Sequence, residues 1–311
     1  NGVPLGEVFV PAVADSSGQK GGAPEDVRGA ILEMTGRRLE VAYSEEPLRG
    51  EGNVQGSTDH GILFHILTGY LPTPTASLVG LKDYIAKFTP TTKEPKSVNW
   101  WGNRGKYITS YLKAVYGDQA TKGNDFGYSW LPKLDEAMNA SWLNLFYKMW
   151  QGKTEGFFAW GQNPACSTPA AKYVRDAFGK LKWMVTVNLF DNETASFWKG
   201  PGINPKDIQT EVFFLPCVSS IEKEGSLSNS GRWVQWRYKA IDHLGQARPD
   251  ADIASELFLR VRELYRKEGG KFPAPIMNTT WNYGKEVDIH KVAREINNYY
   301  LEDVYDKKAT P

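Results

Sequence analysis

The residues best equipped for chemistry fall in two places. The first is a single loop, LRGEGNVQGSTDHG, from Leu48 to Gly61, in which four glycines, two carboxylates, an arginine, Asn53, Gln55 and two hydroxyls share fourteen positions. Its apolar residues, Leu48 and Val54, keep neither helical nor strand period, yet the strongly apolar run Ile62 to Leu67 follows directly. So polar a loop held against so apolar a segment is hard to read as ordinary scaffolding. The second is a set of three loops, 161–168, 188–196 and 216–225, that carry Gln162, Asn163, Ser167, Thr168, Asn188, Asp191, Thr194, Glu222 and Glu224. Glycine and the free amides of a helix start suit a phosphate, which needs close backbone approach and the positive end of a helix. Acids and amides suit ribose hydroxyls and base edges. Nucleotide binding is one reading of these loops. The other is that Gly161-Gln162-Asn163-Pro164 is a simple turn, with Pro presetting the backbone. The GxGxxG dinucleotide fingerprint is absent.

The elements around these loops explain their placement. Gly156 to Trp160 is a short continuous apolar run, suited to a strand buried on both faces. Ser167 or Thr168 then caps a helix with Pro169 near its first turn and Val174 and Phe178 on its inner face. Leu181 to Val187 and Glu211 to Leu215 are further apolar strands, ending in Asn188 and Pro216. Strand, helix, strand, polar excursion and strand spell a parallel sheet wrapped by helices, and ligands of such sheets bind outside the carboxyl ends of the strands. Asp250 opens a long helix with Ile253, Leu257, Val261 and Leu264 on one stripe, closed by Gly269-Gly270. An N-cap is the plain role for Asp250.

Upstream, Lys106 to Tyr116 carries Ile108, Tyr111, Leu112 and Val115 on one helical face and stops at Gly117. Leu134 to Trp150 reads as a helix capped by Asp135, burying Trp142, Leu143, Leu145, Phe146 and Met149 and stopping at Gly152. Residues 72–100, rich in Pro and Thr with one amphipathic piece from Ala76 to Phe88, read as an irregular connector. Glu7 to Pro11 reads as a short edge strand, 16–24 as a Gly/Ser/Lys loop, and Glu25 to Thr35 as a helix closed by Gly36.

Composition narrows the class. The 311 residues hold 41% apolar and 23% charged side chains with a net charge of +1, as in a soluble globular protein. Lys and Arg are spread along the chain, so neither nucleic acid nor an anionic membrane is the expected partner. No apolar run approaches the ~20 residues that span a bilayer. The chain begins at Asn1 with no signal segment, which reads as processing or as part of something longer. Cys166 and Cys217 lack CxxC spacing, so no zinc or iron–sulfur site, and no metal ligand, is expected from this chain. Eleven Trp, fifteen Tyr and fourteen Phe read first as core and interface filling. His65, on the apolar run, reads as a core histidine and His60 as a bystander.

Several long motifs resemble one family. LRGEGNVQGSTDHG is similar to the RGxxNVQGxxDxG segment of molybdopterin oxidoreductases, specifically formate dehydrogenases. The runs WGQNPACST, VNLFDNETASFW, FFLPCVSSIEKEGSLSNSGRWVQWRYKA and PDADIASEL resemble the guanine-dinucleotide-binding domain of the same proteins. SVNWWGNRGKYITSYLKAVYGD and YYLEDVYD look like the membrane-associated or periplasmic catalytic subunit, and the match covers about residues 46–311.

The resemblance implies a molybdenum or tungsten centre held by two pyranopterin guanine dinucleotides, with formate as substrate. Arg49 stands where the family's arginine orients the formate carboxylate; its plain alternative is a solvated loop residue. Glu51, Asn53 and Gln55 stand where neighbouring groups meet the pterin or order the loop. Gly161, Asn163 and Thr168 lie along one dinucleotide, Asn188, Thr194 and Glu224 are further contacts, and Asp250 matches the acid that accepts from guanine. The family's [4Fe-4S] cluster, and the cysteine or selenocysteine on the metal, are not ligated by this chain, whose residues 1–45 hold no cysteine. The implied partners are the rest of the catalytic subunit and an iron–sulfur electron-transfer subunit, the implied compartment is periplasmic, and the chain by itself is expected to be inactive. A nitrate reductase-like enzyme and a non-catalytic nucleotide-binding or assembly module remain as alternatives. The expected fold is α/β, a doubly wound, mostly parallel Rossmann-like sheet with helices on both faces plus a helical connector. Its expected parts are 1–75, a partial domain with loop 48–61; 76–155, the connector; 156–270, the dinucleotide-binding domain; and 271–311, an extension toward a further domain.

Overall fold

The computed structural model describes residues 66–91, 100–135, 141–228 and 234–296. Loop 48–61, with Arg49, Glu51, Asn53, Gln55 and His60, lies outside them, as do His65 and the strand and helix read in residues 1–45. Contacts divide the chain into two compact units, 1–134 with 226–237, and 135–225 with 238–311.

In the first unit, β1 (Ile66–Leu67) and β2 (Leu71–Pro72) pair antiparallel across a turn in which Gly69 and Tyr70 both take positive φ. Helix α1 (Leu81–Phe88) turns Leu81 and Tyr84 inward and stops before Pro90. Helix α2 (Arg104–Tyr116) buries Ile108, Leu112 and Tyr116 and ends at Gly117. Residues read as a connector thus close around a core of their own, with Leu71, Leu78, Tyr128 and Leu131 completing it. Its polar atoms are spent internally: Tyr84 donates to the Pro72 carbonyl at 2.7 Å and Tyr128 to that of Leu78 at 3.0 Å. Burial pushes both phenols up, Tyr128 to about 12. Arg104, also buried, donates to the Phe88 carbonyl that ends α1 and lies 4.0 Å over the Trp101 ring.

In the second unit, α3 (Trp142–Trp150) starts eight residues after Leu134, where the sequence reading began it, with Ser141 at the N-cap position in place of Asp135. Phe146 and Met149 are buried as expected, but Trp142 and Leu143 are 40% and 59% exposed. In WLNLFYKMW apolar side chains outnumber the polar Asn144 and Lys148, so some of them are left outside the buried face of Phe146 and Met149. Strands β3 (Gly156–Trp160), β4 (Trp183–Asn188) and β5 (Glu211–Pro216) form one parallel sheet in the order β3-β4-β5, with the one-turn α4 (Pro164–Ser167) and α5 (Ala171–Phe178) between the first two. Helices α6 (Asp250–Glu268), α7 (Pro273–Asn278) and α8 (Ile289–Ile296) complete this unit, while the ribbon of β6 (Gly225–Ser228) and β7 (Val234–Arg237) that precedes them in sequence groups with the first unit from Ser226 on.

Alternation along the strands gives the sheet two covered faces. Phe157, Met184 and Val212 pack with Phe146 of α3 and Val174, Ala177 and Phe178 of α5. Trp160, Val185 and Val187 pack with Ile253 of α6. The strands are not buried on both sides throughout, however. Because α6 meets the sheet through Ile253 near the strand ends, Phe158, Phe213 and Leu215 stay 43%, 45% and 37% exposed along a groove of about 380 Å³.

Candidate functional site

The carboxyl ends of β3 and β4 carry a closely wired rim. Gly161, just past β3, takes φ +64 and donates its amide to the Val187 carbonyl at 2.8 Å. Nothing lies within 4 Å of where a Cβ would stand there, so the turn leaves open backbone at the rim. Asn188 ties the two strand ends, its Nδ2 donating to the Gln162 carbonyl at 2.9 Å. The side chain of Gln162 is exposed.

Behind this rim, Asn163 and Thr194 lock the loops together. Asn163 Oδ1 accepts from the Thr194 hydroxyl at 2.8 Å and the Thr194 amide at 3.1 Å, and Asn163 Nδ2 donates to Glu193 Oε2 at 2.6 Å. That hydrogen bond holds the Glu193 carboxyl below the usual range. Thr194, fully buried, accepts the Ala165 amide at 3.0 Å. The amides of Cys166 and Ser167 bond the Asn163 carbonyl, each at 3.0 Å, and Pro164 has none to give. The one-turn α4 therefore has its donors occupied inside the protein, and the helix read as capped by Ser167 or Thr168 begins instead at Ala171, with Ala170 in the N-cap position. Thr168 is likewise turned inward, accepting the Trp142 indole N–H at 2.9 Å.

Asp250 forms a second centre on the same side of the sheet. It is the first residue of α6, with Pro249 in the N-cap position, so it does not cap the helix. Instead its Oδ1 accepts the Trp160 indole N–H at 2.8 Å and its Oδ2 meets the Lys223 ammonium. Burial works to raise its pKa, but the hydrogen bonds from Lys223 and Trp160 together outweigh this and hold the carboxyl below its ordinary value. Cys217, buried nearby, has its thiol pushed up by burial and then by Asp250. The Cys166 thiol is raised as well, by desolvation first and then by the neighbouring Glu193 carboxylate. Glu224 stands apart, paired with His290 of α8 at 2.8 Å.

Of the sequence-derived positions, Gly161, Asn163, Asn188 and Thr194 come together in one network, and Asp250 joins its edge through Trp160. Thr168 and Glu224 have their partners in α3 and α8. Sequence reasoning missed Trp160, Lys223, Glu193 and His290, because each matters through a partner distant in sequence; Trp160 and Asp250 are 90 residues apart. The rim thus presents an open glycine turn, the exposed Gln162 side chain and an ionised carboxylate, one-third exposed, groups that can accept N–H donors or allow close approach of a polar ligand. Among the described residues no His, Cys, Asp and Glu cluster could hold a metal ion.

No family model matches the chain. Its similarity is to individual proteins. It is 52% identical over 260 residues to "Formate dehydrogenase subunit alpha" of Megalodesulfovibrio gigas, covering 82% of this chain and 25% of that protein. It is 45% identical over 256 residues to "Formate dehydrogenase 2 subunit alpha (cytochrome c-553)" of Nitratidesulfovibrio vulgaris, again 82% and 25%. With "Formate dehydrogenase, nitrate-inducible, major subunit" of Escherichia coli it shares 42% identity over 265 residues, 83% of this chain and 26% of that one. The chain thus spans about a quarter of the length of the curated relatives it matches.

Proposed function

We propose, on the premise that this chain is homologous through 82% of its length to formate dehydrogenase alpha subunits, that it serves in the catalytic subunit of a formate-oxidising enzyme. The observation that carries this reading is the 52% identity itself, and the nucleotide-compatible rim of the second unit agrees with it. Two-electron acceptance from formate is the chemistry supplied by a molybdenum or tungsten centre on two pyranopterin guanine dinucleotides, with electrons leaving to iron–sulfur partners in the periplasm.

The residues of this chain divide the remaining work. Arg49 grips the formate carboxylate in one orientation, since a guanidinium is permanently charged and forks onto a carboxylate through two parallel hydrogen bonds. Glu51, Asn53 and Gln55 order its loop and meet the pterin. Gly161 and Asn188 line one dinucleotide, and Asp250 accepts the two donors of the guanine edge. Asn163, Thr168 and Thr194 act behind them, holding the loops of the rim in register through the bonds described above. Glu224, with His290, borders the loop after β5.

The test is an assay of the complete catalytic subunit that contains this sequence, offered formate with an artificial electron acceptor and, separately, nitrate with an electron donor. Formate oxidation is expected. Nitrate reduction without formate oxidation would sink the reading, and guanine-dinucleotide binding without either activity would favour an assembly role.

A further inference from the structure

We infer that Lys223 is a resident occupant of the base-recognising carboxylate, a cation that a guanine edge must displace from Asp250, so that Lys223 sets how tightly this rim holds the base. The inference rests on the reading of Asp250 given above. Trp160 ends β3 and Lys223 lies in the loop after β5, so the two groups reach Asp250 from opposite sides of the sheet's carboxyl edge. They are not equivalent. The indole is neutral and fixed by its packing against Val187 and Ile253. The ammonium is a compact charge on a flexible stem, one-third exposed, as is the carboxylate it meets.

A guanine edge presents two neutral N–H donors side by side and needs both carboxylate oxygens. An ionised oxygen accepts more than one hydrogen bond, so Trp160 can stay on Oδ1 while the base takes the remaining lone pair. On Oδ2 the incoming donor competes with a cation. Partly exposed ion pairs are weak, which makes the exchange feasible while still costing affinity.

The test uses the whole chain and guanosine, a nucleoside with no phosphate for an ammonium to attract, followed by isothermal titration. Lys223→Met should bind guanosine roughly three- to fivefold more tightly than the unaltered chain, the value of an ion pair of this exposure. Lys223→Arg should leave the affinity where it was. Unchanged or weaker binding by Lys223→Met overturns the inference; should that variant fail to fold, Lys223→Gln makes the same test. The underlying reading is judged separately with inosine, which lacks the 2-amino donor. A preference for guanosine over inosine that disappears in Asp250→Asn upholds base recognition whatever Lys223 does. No such preference in the unaltered chain, or no binding to any of these proteins, overturns both.

Discussion

Single residues carry the sharpest consequences. Formate has one carboxylate and one hydrogen to lose, so turnover needs the anion held in one orientation. A lysine at position 49 would keep the charge but let the anion swivel. In the complete enzyme Arg49→Lys should keep cofactor and fold yet lose about a decade of turnover, the rate equivalent of ~1.4 kcal/mol of transition-state binding. Formate kinetics and metal content on one preparation decide it, and near-normal turnover with full metal would return Arg49 to the status of a solvated loop residue. Asp250 makes a different demand, because its removal orphans a half-buried indole N–H and a lysine at once. Asp250→Ala should destabilise the second unit by ~1–3 kcal/mol, the usual cost of a partner lost from a buried donor, and abolish guanosine binding. The linkage has a sign: the folded pKa lies below the ordinary ~3.9, so this stabilisation is complete above that pH and fades as pH falls through the folded value. Urea midpoints of the two proteins should therefore converge in acid, and a gap that widens there would show that Asp250 is not the ionised partner described.

At the scale of elements, the sheet's two faces differ in how much each strand position contributes. Phe178 is fully buried among Phe146, Phe157 and Phe197, so Phe178→Ala should cost about 3–5 kcal/mol. Phe213, 45% exposed on the opposite face, should cost far less, and denaturant unfolding of the pair measures the contrast. Equal losses would mean that the groove beside α6 is closed in solution. The same contrast marks the limit of what the sequence disclosed. Apolar runs bounded by glycine, asparagine and proline located β3, β4 and β5 to within two residues, because parallel strands between helices read as continuous hydrophobic stretches. They did not show that Phe158, Phe213 and Leu215 stay half open, since a side chain's type records its chemistry and not how far a later helix extends over it. The rim was legible in part for a similar reason. Gly161 and Asn188 follow from where strands end, whereas the inward turn of Asn163, Thr168 and Thr194 depends on Trp142 and Glu193, whose proximity only the fold supplies. The αL geometry of Gly127, with Trp130 2.5 Å and Tyr116 2.9 Å from where a Cβ would sit, likewise depends on neighbours that only the fold brings together.

For the whole molecule the question is how much of a large cofactor these two units can hold. Small-molecule sites bury most of their ligand, typically about 70–90% of a drug-sized one, and a pair of pyranopterin guanine dinucleotides is larger still. The rim offers the Asp250 carboxylate, an open glycine and a few amides along one edge of a three-stranded sheet, which on the proposed reading would meet only one end of one dinucleotide. The relatives it matches are about four times its matched length, which is where further contacts would come from. The chain produced by itself should accordingly carry molybdenum or tungsten well below one metal per chain and oxidise no formate. Metal should rise toward stoichiometry when the remainder of a relative's alpha subunit is supplied with it, because each added contact multiplies a weak affinity by the effective concentration of its neighbours. Elemental analysis of both preparations measures this, and a full complement of metal on the chain alone would show that the cradle is contained within these 311 residues after all.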